Sequence, residues 1–176
     1  MKYLIYAITI MSLNISSILF DFNKNADLKN WAIINDAVMG GKSEGNFSLN
    51  KDGHGVFEGF ISLKNNGGFS MLRYVFKKKA LQKYSKIRLK FKGDGKTYQF
   101  RIKSNSTDYY SYTTSFSTSG AWQEIEISLK DMAPSFRGRK LDQPNFPGDH
   151  MEEIAFLIGN KKQESFQLLM DTIELF

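Results

Sequence analysis

Apolar side chains in this chain recur at every second residue rather than every third or fourth. Ile87, Leu89 and Phe91 alternate with Arg88, Lys90 and Lys92, and Tyr98, Phe100 and Ile102 alternate with Gln99, Arg101 and Lys103. A period of two gathers one set of side chains on one face of an extended strand, whereas a helix would scatter them around its surface. The alternation returns in Ile125, Ile127 and Leu129 against Glu124, Glu126 and Ser128. The runs stop at turn residues. Lys51-Asp52-Gly53 carries the Asp-Gly pair of a tight hairpin between residues 47–49 and 56–63. Gly93-Asp94-Gly95 reads as the hairpin turn joining the two clearest alternating runs. Further strands are predicted over 18–22, 69–76, 109–116 and 166–176, the last broken near Asp171. Residues 154–158 are continuously apolar, as in a strand buried on both faces. Residues 77–84 read as a short helical turn, and 131–150, which hold all three prolines, as a long surface excursion. Nine or ten strands without amphipathic helices predict a single-domain, all-β sandwich.

A chain of 176 residues, 41% hydrophobic and 14% aromatic, can bury a full core without staples. The absence of cysteine excludes disulfides, thiolate catalysis and cysteine metal sites. A net charge of +6 permits attraction to anionic partners, but the basic residues are spread along the chain and form no nucleic-acid-binding module. Lys2 followed by the apolar stretch 4–19 resembles an export signal. The expectation is a signal peptide or retained apolar segment over 1–17 and a sandwich over 18–176. The location would then be periplasmic or secreted, and otherwise cytoplasmic.

Catalytic chemistry finds little support. Gly40-Gly41-Lys42-Ser43 suggests a phosphate loop, but Asp36 stands where that loop needs glycine, and strands follow where it needs a helix. The two histidines, His54 and His150, lack a nucleophile motif, and Glu152 and Glu153 would point to opposite faces of a strand. No catalytic residue, cofactor or transition-metal set is assigned, and oxygen ligands such as Asn35, Asp36, Asn65 and Asn66 lack a diagnostic calcium spacing.

Two glycine-centred segments remain. Asn35-Asp36-Ala37-Val38-Met39-Gly40-Gly41-Lys42-Ser43 and Asn65-Asn66-Gly67-Gly68-Phe69, followed by Arg73, each place Asn or Asp beside a glycine pair. Such sequences order into shaped turns, because glycine permits positive φ and Asn or Asp bonds nearby amides. Asp36 and Arg73 are expected to brace one another, with Asn65 and Asn66 pinning the second turn. Trp31, Tyr109, Tyr110 and Tyr112 are candidates for sugar contacts, or else core anchors. Arg73 and Arg137 either pair internally or meet an anionic partner.

The chain resembles the complex I intermediate-associated protein 30 family. The resemblance is carried by Trp31 through Asp36, Val38-Met39-Gly40-Gly41 with Ser43, Phe57-Glu58-Gly59, Ser62, Asn65 through Phe69, and Arg73. It continues in Gly93-Asp94-Gly95 with Tyr98, Trp122, Phe136-Arg137-Gly138-Arg139, and Ile158 through Gln163 with Phe166. It implies a galactose-binding-like jelly-roll β-sandwich and a noncatalytic role, known in eukaryotes as help in assembling respiratory complex I. The candidate binding residues are Trp31, Asn35, Asp36, Met39, Gly40, Gly41, Ser43, Asn65, Asn66, Gly67, Gly68, Arg73 and Arg137. A protein partner is the leading expectation and a carbohydrate the alternative.

Overall fold

The computed structural model describes residues 15–176. The export-segment expectation falls on residues outside these, apart from 15–17. Among the described residues no helix is long and apolar enough to cross a membrane. The described residues hold thirteen strands, in order β1 (Ser17–Asp21), β2 (Trp31–Asn35), β3 (Glu44–Leu49), β4 (Gly55–Ile61), β5 (Ser70–Ala80), β6 (Lys86–Lys92) and β7 (Thr97–Lys103). Then come β8 (Ser111–Ser117), β9 (Trp122–Ser128), β10 (Ala133–Phe136), β11 (Arg139–Lys140), β12 (His150–Ile158) and β13 (Glu164–Leu175).

These strands form two antiparallel sheets. One runs β3-β4-β13-β6-β9 with β1 also on β13; the other runs β11-β10-β8-β7-β12-β5-β2. The expected sandwich is therefore present. The alternating residues explain which faces meet. Leu89 and Phe91 from one sheet and Phe100, Ile102, Ile154 and Phe156 from the other are almost fully buried. Each such side chain contributes roughly 1.5–3 kcal/mol relative to exposure. β12 lies between β7 and β5 as an interior strand. Of its apolar run Ile154, Ala155, Phe156 and Ile158 are buried, while Leu157 on the outer face is only half-buried. β13 shifts register between Met170 and Thr172, where the break near Asp171 was expected.

Three local expectations are corrected. Gly93-Asp94-Gly95 does not close a hairpin, because β6 pairs with β13 and β9 while β7 pairs with β12 and β8. The segment is a corner between the sheets. A Cβ on Gly93 would stand 2.4 Å from Thr118. Asp94 fastens the corner by accepting the Tyr98 hydroxyl at 3.1 Å, the Gln167 amide at 2.9 Å and the Lys96 ammonium at 2.8 Å. Residues 77–80 prolong β5 instead of turning, since Lys79 and Ala80 pair with Met151 and His150. Residues 131–150 are not merely a surface excursion: β10 joins β8, and Met132 and Phe146 are buried.

Gly45 and Gly59 face each other across β3 and β4. A Cβ on Gly59 would lie 1.9 Å from the Glu44 carbonyl oxygen, a collision with backbone that no rotamer relieves. Gly59→Ala should therefore destabilise the protein by about 1–3 kcal/mol. Thermal unfolding followed by circular dichroism checks this, and an unchanged melting temperature would contradict it.

Candidate functional site

The two glycine segments are the places where the chain changes sheets. Residues 36–43 lead from β2 in the seven-stranded sheet to β3 in the six-stranded one, and 62–69 lead from β4 back to β5. One side chain joins them. Asp36 is 2% exposed and its carboxylate accepts four hydrogen bonds. Ser43 donates its amide to Oδ1 at 3.0 Å and its hydroxyl to Oδ2 at 2.5 Å. Gly68 and Phe69 donate their amides to Oδ2 at 2.5 and 3.3 Å. The Ser43 hydroxyl oxygen in turn accepts the Ser62 amide at 3.1 Å. Asn65 donates its side-chain amide to the Gly40 carbonyl at 2.9 Å, and Ser70 donates its hydroxyl to Asn35 Oδ1 at 2.7 Å.

This clasp explains the glycines. A Cβ on Gly41 would lie 2.2 Å from Asp36 Oδ1, and one on Gly67 would lie 2.5 Å from Oδ2. Gly40 and Gly68 have φ of 83° and 137°, which L side chains rarely adopt. Asn65 and Asn66, at 56° and 59°, take the left-handed conformation that asparagine tolerates best among non-glycine residues. The expected bracing of Asp36 by Arg73 is not found: Asp36 is satisfied by amides and a hydroxyl, while the Arg73 Nε lies 3.9 Å from Glu153. Both oxygens of Asp36 are taken by N–H and O–H donors, so the cluster presents donors where a calcium ion would need oxygens. Met39 sits in the 3-10 turn Asp36–Met39, and its side chain lies outside the described residues.

Trp31 leaves the list of surface candidates. It is 7% exposed and stacks on Tyr74, its cross-strand neighbour, at 4.6 Å. Tyr112 is also buried, whereas Tyr109 is 62% exposed. His54 is half-buried, 4.6 Å from the Trp122 ring and 3.5 Å from Asp171, and His150 faces Asn105 at 3.4 Å.

Arg73 and Arg137 meet elsewhere. A groove of about 380 Å³ opens on the outer face of the seven-stranded sheet, with Arg73, Arg101, Lys103 and Glu153 in it and Tyr109 and Arg137 at its rim. Register builds it. Arg73 on β5 and Arg101 on β7 stand directly across from Ala155 on β12, and Lys103 stands across from Glu153. The hairpin of β10 and β11 carries Phe136 and Arg137 to the edge, the guanidinium 5.2 Å from the Phe136 ring. Tyr109 meets that ring edge-on at 5.3 Å. Glu153 is 3% exposed; Arg73 and Lys103 each approach it only to 3.9 Å. Burial raises its carboxyl above the usual range against the pull of Lys103, Arg73 and Arg101. Burial likewise lowers the Arg101 guanidinium, opposed by Glu153. Arg101 and Lys103 escaped the sequence reading because alternation marks them as an ordinary solvated face, and Glu153 was weighed there only beside Glu152 as an acid or base. Only the pairing of β12 with both β5 and β7 gathers them.

Burial pushes the Asp36 carboxyl up, but bonds from Ser43, Gly68 and Phe69 outweigh it and hold the group below the usual aspartate range. A depressed folded value contributes stability that is complete above the unfolded value, about 3.9, and is lost as pH falls through the folded one. Asp36→Asn should cost about 2–4 kcal/mol at neutral pH. Its deficit should shrink in acid. Denaturant unfolding across pH checks this, and a deficit independent of pH would contradict it.

A structure of the family 11 carbohydrate-binding module from Clostridium thermocellum in complex with a β-1,3-1,4-mixed-linked tetrasaccharide superposes with TM-score 0.65 at 20% identity, covering 92% of this chain and 95% of that one. The agarase AgWH50C superposes with TM-score 0.62 at 12% identity, over 91% of this chain and 24% of the agarase. At these identities the likeness concerns the fold, a jelly-roll sandwich. The mitochondrial complex I intermediate-associated protein 30 of Mus musculus is 24% identical over 90% of this chain, which spans 56% of the mouse protein's length. The sequence profile of complex I intermediate-associated protein 30 matches residues 20–170, and the chain belongs to that family.

Proposed function

We propose that this chain is a noncatalytic binding module whose working surface is the groove on the seven-stranded sheet, and that it holds a protein partner during assembly of a larger complex. The groove carries the reading. It offers four cations, aromatic edges and one carboxylate, and no histidine lines it. That set supplies attraction and shape rather than the positioned acid and base of a hydrolase. Family membership supports an assembly role, through the name of the mouse relative. The glycine rim, first expected to be the contact surface, spends its polar groups on itself and serves as the frame.

A second reading has its own observation. Tyr109 is exposed beside Phe136, and such rings can stack on sugar faces, so a carbohydrate ligand is the alternative. The two are separable. Cross-linked capture should yield partners that are lost with Tyr109→Ala combined with Arg73→Gln and retained with Lys51→Gln, in the turn between β3 and β4 of the other sheet. Identical captured sets from all three proteins would overturn the groove as the working surface. Retardation in neutral polysaccharide gels that Tyr109→Ala abolishes would favour the sugar reading instead.

A further inference from the structure

The charge of the groove restricts its occupant. Arg73, Arg101, Lys103 and Arg137 line it against the single carboxylate of Glu153. That carboxylate does not satisfy them. Its Oε2 and the Nε groups of Arg73 and Arg101 are all buried without a hydrogen-bond partner among the described residues. The distances of 3.9 Å to Arg73 and Lys103 are those of a loose ion pair without hydrogen bonds. A guanidinium presents a planar fork of donors that matches a carboxylate, and such charge-assisted pairs are stronger than neutral ones. Two such forks rise on either side of Ala155, whose methyl leaves them no intervening polar group.

We propose that the groove seats an acidic side chain of a protein partner, with a glutamate or aspartate carboxylate engaged by Arg73 and Arg101. This rests on the binding-module reading and adds the chemistry of the occupant. The walls favour a peptide over a polyanionic sugar. Met71, Leu157 and Phe69 border the charged centre, which suits one acidic residue with apolar neighbours. A uronic acid polymer would bring a carboxylate on every ring and no apolar side chain to meet those walls. Glu153 acts as an internal competitor whose negative charge weakens the seat, so its neutralisation should tighten binding.

The test uses the full chain and labelled twelve-residue peptides alternating Glu with Leu-Gly pairs, beside counterparts with Gln for every Glu, and polygalacturonate. The Glu peptide should bind at least about tenfold more tightly than the Gln peptide, a factor corresponding to one charge-assisted hydrogen bond. Its affinity should fall as salt rises. Arg101→Gln and Arg73→Gln should each weaken it about tenfold, Arg137→Gln should weaken it less, and Glu153→Gln should strengthen it. Arg137 sits on an exposed hairpin tip, so its variant reports even if the inner arginines prove necessary for folding. Equal binding of the Glu and Gln peptides would overturn the proposal. So would polygalacturonate binding more tightly than the Glu peptide with the same dependence on Arg101. Either result leaves the groove intact as a binding surface if partner capture still depends on Tyr109, whereas loss of that dependence overturns the module reading itself.

Discussion

A single buried carboxylate holds the end of this sandwich together. Asp36 sits where the chain leaves β2 for the opposite sheet, and it draws in amides from the segment by which the chain returns to β5. Both crossings are thereby fixed to one point without a second charge. Burying an aspartate is costly unless its lone pairs are used, and here donors from Ser43, Gly68 and Phe69 use them. The surrounding glycines follow from that requirement. Gly41 and Gly67 give the carboxylate room, and Gly68 turns its amide toward it.

The clasp also bears on the groove, through the strand it anchors. β5 begins at Ser70, one residue beyond the Phe69 amide held by Asp36, and Arg73 follows on the outward face. Leu72, one position away, is fully buried in the core. A strand whose start is fixed has its register fixed, and a slip of one residue would exchange Arg73 with Leu72. The outer face of β12 completes the arrangement, with Ala155 between Arg73 and Arg101 and Glu153 between Val75 and Lys103. Frame and groove are therefore distinct parts with distinct chemistry: neutral donors bonded to a carboxylate in one, cations held only loosely around a carboxylate in the other.

Much of the fold was legible because alternation states which residues face the core. Tyr98, Phe100 and Ile102 are all fully buried, as their spacing requires. Sheet membership was not legible. Gly93-Asp94-Gly95 ends the strand as its residues demand, but turn chemistry cannot say whether the next strand stays in the same sheet. The glycine segments do order into shaped turns, while the partner of Asp36 was misread. An aspartate near an arginine invites an ion pair, yet two glycine-rich loops rich in free amides can satisfy a carboxylate without one. Trp31 was ambiguous for a similar reason, since a tryptophan's neighbours decide its role and Tyr74 is forty-three positions away in sequence. The groove was the least visible part. Arg73 and Arg137 drew notice singly, and only cross-strand register brings them to Arg101, Lys103 and Glu153.

The central claim is that one ionised carboxylate binds both crossings at once. Amide nuclear magnetic resonance of the full chain through an acid titration tests it directly. The Ser43, Gly68 and Phe69 amide signals should move together, with one apparent midpoint below the ordinary aspartate range. Signals that titrate separately, or that follow an unperturbed aspartate, would contradict the account.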